Sequence, residues 1–294
     1  MNEPIVAALD LALKGDAKIL QGLGIEEAMI TSPSWDDRVA VDGAGTVTFT
    51  SRRASGDTGG APIGTFRGKM EKEELRSVIR ELQKLAAAPP PPQRSEAYET
   101  RIGVSVVAGG QLFGLVVPAN PVALAPLDPV LLPLGRAMSK AMANPVRSLT
   151  LTLEVPEGVG RDGVVPLVLH LLNGGEEGFW VSNPLTLSNQ PERERVELVY
   201  AKPLVFPPGI APVPVTPRRT LIVPRMAPAG APPYRWVGPK GDVFVPMQAK
   251  VEIGDAKELV FRAGLYADEG PEIIAGRPRL KGSVFSKDVS VKVR

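Results

Sequence analysis

The sequence predicts an α+β domain over residues 1–146, an antiparallel sheet with helices on one face, followed by an all-β sandwich over residues 147–294. Three observations carry this. Two hairpin-then-helix patterns follow one another in the first half, the pattern of a two-layer α+β domain. From Leu149 onward helical periodicity disappears and strand signals recur between turn residues, as in sandwiches and barrels. Proline (31) and glycine (30) make up about a fifth of the 294 residues, which calls for many turns and edge strands.

Residues 1–24 are expected to form a helical arm of one or two short pieces. Asn2 can cap it, Pro4 suits its first turn, and Ile5, Val6, Leu9 and Leu13 recur at helical spacing before Gly15 and Gly22. Arg38 to Ser51 reads as a hairpin turning at Asp42-Gly43-Ala44-Gly45, where Gly and Asp supply positive φ cheaply. Thr65 to Lys69 is a short strand. Glu71 to Ala87 is the clearest helix, with Leu75, Val78, Ile79, Leu82 and Leu85 on one stripe and Pro89 beyond its end. A second hairpin, Ile102 to Val107 and Gln111 to Val117, turns at Gly109-Gly110. It leads to a helix that Asp128 can cap with Pro129 at its first position, running to about Ala143. Pro89 to Pro92 reads as a stiff spacer inside this domain.

In the second half, strands are expected at Leu149 to Val155, Val164 to Leu172, Val196 to Ala201, Thr220 to Val223, Val243 to Val245, Glu258 to Arg262, Leu280 to Phe285 and Val289 to Val293. In the second of these, Val165, Leu167, Leu169 and Leu171 fall on one face and His170 on the other. A proline-rich connection spans residues 203–233.

The end of the chain carries a family resemblance. Phe261-Arg-Ala-Gly-Leu-Tyr266 and the run Gly276 to Val293 resemble the last two strands of immunoglobulin-like β-sandwich modules found in bacterial proteins. Gly264 and Tyr266 stand where such modules carry a tyrosine corner, and the Ser-x-x-Val-x-Val close looks like the final strand. The resemblance implies an immunoglobulin-like sandwich and no particular activity. The N-terminal half resembles no family.

One histidine and no cysteine remove thiolate zinc sites, iron–sulfur clusters, Cys nucleophiles, disulfides and any site needing two imidazoles from one chain. No metal and no cofactor is expected. His170 lies mid-strand and no Gly-x-Ser-x-Gly elbow exists, so no catalytic residue is assigned. Gly64-Thr-Phe-Arg-Gly68-Lys69 has three residues between its glycines where a phosphate loop needs four, and Met70 replaces the Mg-binding hydroxyl. The acidic pairs Asp36-Asp37, Glu176-Glu177 and Asp268-Glu269 lack the alternation of a calcium loop. Residues 1–146 carry 15 basic and 16 acidic side chains and the remainder 19 and 16, so neither half presents a phosphate-binding charge and no nucleic-acid partner is expected. No apolar run is long enough for a transmembrane segment, and acidic Glu3 and Asp10 stand where a leader would be basic. A cytoplasmic address is expected, a periplasmic or secreted one if a leader is missing.

The candidate partner-binding residues are Pro214, Pro217, Arg218 and Arg219, which fit a proline ligand with a basic anchor, and Tyr234, Arg235 and Trp236 beside them. Trp180, in Gly178-Phe-Trp-Val181, joins them as a core or interface aromatic. The expected function is a non-enzymatic protein-binding or structural component that contacts a protein partner or another copy of itself. The alternatives are an Asp/Glu-dependent hydrolase or carbohydrate-acting enzyme with an interdomain cleft, and an envelope or secreted ligand-binding module.

Overall fold

The computed structural model describes residues 2–16, 18–29, 37–52, 60–88, 100–187, 190, 193–203 and 218–294. It is mostly β, with antiparallel sheets and a minority of helix. The chain divides into two compact units, Met1–Ser51 with Thr65–Val146, and Arg52–Gly64 with Arg147–Arg294. The sequence reading keeps residues 52–64 in the first unit, whereas the structure gives them to the second. There the Ser283 N–H donates to Arg52 O (2.7 Å), the Gly60 N–H donates to Phe285 O (2.7 Å), and Ile63 enters the second apolar core.

In the first unit, strands β1 (Leu20–Met29), β2 (Asp37–Val41), β3 (Thr46–Ser51), β4 (Ile63–Lys69, from Thr65 onward in this unit), β5 (Thr100–Ala108) and β6 (Gln111–Pro118) lie in the order β4-β3-β2-β1-β5-β6. Helix α1 (Glu3–Leu13) ends well short of residue 24, because Leu20 to Leu23 belong to β1. This corrects the helical arm. β1 pairs with β2 on one side, Leu23 opposite Val41, and with β5 on the other, Leu23 opposite Val106. Two flanking ladders satisfy its backbone and so override the weak intrinsic preference of a glycine-rich segment. β1 thereby joins the two expected hairpins, β2–β3 and β5–β6, into one sheet. In the first hairpin the Asp42 carboxylate accepts from the Ala44 and Thr46 N–H groups at 2.9 and 2.8 Å, fixing the turn.

Helix α2 (Lys72–Ala87) buries Leu75, Val78, Ile79, Leu82 and Ala86, as its stripe requires. A short α3 (Pro121–Leu124), capped by the Asn120 side chain at 2.9 Å from the Ala123 N–H, leads through a 3₁₀ turn into α4 (Asp128–Met142). Asp128 is therefore inside a continuing helical path and does not cap it. Leu9 of α1, Leu82 of α2 and Leu134 of α4 share one core with Val47 and Val106 of the sheet. Each such burial stabilises by roughly 1.5–3 kcal/mol.

In the second unit, β7 (Pro145–Glu154), β8 (Val164–Asn173), β9 (Phe179–Ser182), β10 (Arg195–Ala201), β11 (Arg219–Ile222), β12 (Tyr234–Val237), β13 (Asp242–Lys250), β14 (Glu258–Ala267), β15 (Ile273–Ile274), β16 (Arg277–Pro278), β17 (Gly282–Phe285) and β18 (Val289–Lys292) follow in order. They form a β13-β8-β7 sheet, a β11-β10-β14-β17 sheet with β18 also on β14, and the small pairs β12-β9 and β15-β16. β8 alternates as its sequence demands, with Val165, Leu167, Leu169 and Leu171 buried. Leu151, Leu169 and Val245 from one sheet meet Leu198, Phe261 and Leu265 from the other in a single core.

Candidate functional site

β9 and β12 bring a group of aromatic and cationic side chains together. Their register sets Trp236 opposite Trp180 and Tyr234 opposite Ser182. The two indoles meet edge to face with centroids 5.4 Å apart. Phe179, Val181 and Val237 alternate with them and are fully buried, so the core holds the ribbon while both indoles stay partly exposed. Gly178 makes this possible, because a Cβ there would overlap the Trp236 ring.

Asn183, itself buried, ties the neighbouring loops together. Its Nδ2 donates to Pro232 O (2.8 Å), and its Oδ1 accepts from Arg235 Nε (2.9 Å) and from the Leu185 N–H (3.3 Å). A shallow groove of about 540 Å³ opens beside it, lined by Leu185, Pro228, Pro232, Tyr234, Arg235 and Trp236 among others. The exposed Arg277 lays its guanidinium over the Trp236 ring at 4.6 Å.

Beneath lies a different arginine. The Arg279 side chain is fully buried and pairs with Glu194, donates to Ser182 Oγ (2.6 Å) and to the carbonyls of Glu269 and Pro271, and faces the Tyr234 ring at 5.1 Å. Ser182 Oγ donates in turn to Glu194 (2.9 Å). The Leu280 N–H donates to Trp180 O (2.8 Å), which fastens this segment to β9.

No family model matches this chain, and no curated protein matches it.

The structure brings Trp180, Tyr234, Arg235 and Trp236 together and puts the other candidates elsewhere. Arg219 lies on β11, in another sheet, where it pairs with Glu252, and the exposed Arg218 precedes it beside a small cavity of about 160 Å³. Pro214 and Pro217 lie outside the described residues, as do Pro89 to Pro92 and Asp36. Asn183, Arg277 and Arg279 are not among the candidates the sequence offers, and Gly178 appears there only as a neighbour of Trp180. A glycine directly before Phe-Trp was the available signal for a ring laid against backbone, whereas nothing local separates Arg277 from Arg279.

The other motifs of the sequence lie away from this group. His170 sits between Glu154 (Nε2 to carboxylate 3.1 Å) and Asp242 (Nδ1 to carboxylate 3.8 Å), with the Phe244 ring 4.5 Å away. On the β7–β8 ladder it stands opposite Thr152. Gly64 and Gly68 serve close approach: a Cβ would overlap the Arg147 carbonyl in the first case and come within 3.0 Å of Ala141 on α4 in the second. Glu176 pairs with Lys240 and Glu177 with Arg147. Among the described residues no cluster of His, Asp and Glu could hold a metal ion, and no helix is long and apolar enough to cross a membrane.

Proposed function

We propose that this chain is a non-enzymatic protein-binding component, and that its second unit is an immunoglobulin-like β-sandwich presenting the Trp236 groove to a partner. What supports the sandwich is the single core shared by two antiparallel sheets and the closing β14, β17 and β18 ladders, in the segment that carries the family resemblance. Tyr266 there packs against Phe285 (5.5 Å) under the Arg195 guanidinium (4.0 Å).

The observation that carries the binding reading is the half-exposed Trp236, held against Gly178 and Trp180 and flanked by Tyr234, Arg235 and prolines. Rigid aromatic and arginine groups beside a groove are the composition of interface hot spots, and proline-aromatic walls suit an extended segment of a partner. The test is quantitative recovery of co-purifying protein from native source lysate with wild type and Trp236→Ala. A discrete partner bound by wild type and depleted at least tenfold by the variant supports the reading. Equal recovery by both, or recovery of nothing by wild type, overturns it.

A further inference from the structure

Strand β6 ends its sheet, and among the described residues no backbone pairs with its outer edge. Edge strands of monomeric proteins are blunted by charges, prolines or bulges, because a bare row of N–H and C=O groups invites another strand. β6 has none of these within Gln111–Val117, and Pro118 comes only at its end. No charged residue occurs anywhere from Ile102 to Leu127.

In the second unit, the outer strand of the β13-β8-β7 sheet is guarded. β13 carries Pro246 at its centre, exposed Asp242, Gln248 and Lys250 along it, and the Met226 sulfur against the Gln248 N–H (3.0 Å). Exposed apolar groups gather at the unguarded edge instead. Leu112 and Val116 are 71% and 55% exposed, and Leu11 and Val122 are exposed on α1 and α3, both of which pack on β6.

We infer that β6 pairs antiparallel with β6 of a second copy about a two-fold axis through Gly114. The strand is self-complementary in that register. Leu112 then opposes Val116 of the other copy, Phe113 opposes Leu115, and the two Gly114 residues meet at the axis, where a Cβ would find nothing within 4 Å in the single chain. Phe113 and Leu115 are half-buried at the rim of the first unit's core, so pairing continues that core across the axis. An isologous contact sets charges near the axis against their own copies, and a stretch without charge incurs no such repulsion. Seven paired residues span about 24 Å, and such a strip with its flanks falls short of the roughly 800 Å² per partner of a standard interface. The dimer is therefore weak and concentration-dependent. It is independent of the Trp236 groove.

Sedimentation of the full chain across the micromolar range tests this. Wild type should rise from the mass of one chain toward two. Leu112→Lys with Val116→Lys should remain monomeric, because the register sets lysine against lysine. Leu112→Lys with Val116→Glu should dimerise again, because it sets lysine against glutamate. Both variants change exposed positions and should keep the wild-type circular dichroism spectrum and melting temperature, and Trp236→Ala should dimerise normally. A wild type that stays monomeric, a dimer that survives the double lysine change, assemblies beyond a dimer, or failure of the lysine–glutamate variant to recover would each overturn the inference.

Discussion

Two arginine environments lie on the same few strands of the second unit, and they are built to opposite ends. Arg279 is sealed from water, with Glu194, Ser182 and two backbone carbonyls around its guanidinium. Arg277, two residues earlier, is exposed and only rests on the half-exposed Trp236 face. A buried charge that is paired and hydrogen-bonded fixes a unique arrangement and has little left to offer a ligand. A cation stacked on an exposed ring keeps its N–H donors available to one. The inner arginine thus holds β9, β12 and the Glu269–Pro271 loop in place, and the outer layer is what that frame presents.

The largest effect expected from breaking this division is at Arg279. Arg279→Ala leaves the Glu194 carboxylate mostly buried without its charged partner and should destabilise the chain by about 3–5 kcal/mol, read as a lower denaturation midpoint. Trp236→Ala should cost less stability, about 1–2 kcal/mol, while weakening partner binding by about 2 kcal/mol or more, on the order of thirtyfold in Kd. If the two substitutions give the same profile, the division into frame and presenting surface fails.

Gly178→Ala sharpens the comparison because it acts through the ring. The added Cβ must displace the Trp236 indole, so a cost of roughly 1–3 kcal/mol should accompany a shift in tryptophan emission and weaker binding. Arg277→Ala removes only the exposed stack, and a stability change within about 1 kcal/mol is expected from thermal unfolding.

The smallest effect is at Asp255, a fully exposed carboxylate. The side-chain hydrogen bond from Lys202, then its own backbone N–H, then the Lys202 charge hold its carboxyl below the usual value. A depressed carboxyl contributes stability that is present above its unfolded pKa and is lost as pH falls through the folded value. Asp255→Asn should therefore leave stability at neutral pH nearly unchanged and slightly flatten the acid limb of a pH–stability curve.

How far the sequence reached depended on how local each decision was. α2 was legible because its apolar stripe and charged face satisfy helical spacing without outside help, and the Asp42–Gly45 turn because its own side chain closes it. β8 was legible from strict alternation. β1 was not, since Leu20-Gln-Gly-Leu-Gly-Ile has neither a helical stripe nor β-branched density, and two distant ladders decide its state. β12 was hidden among prolines, and the place of Arg52, Gly60 and Gly64 in the second unit rests on Ser283, Phe285 and Arg147, all distant in sequence. In the site, the aromatic residues showed themselves by type. Arg279 did not, because its role depends on Glu194, 85 positions away.

The most direct measurement is site-specific photocrosslinking in the source cell, with a benzophenone amino acid in place of Tyr234 in the groove and, as comparison, in place of the exposed Phe244 on β13. A discrete protein adduct from position 234, absent from position 244 and lost when Trp236→Ala is added, is the predicted result. No adduct from position 234, or the same adducts from both positions, would contradict a partner surface at Trp236.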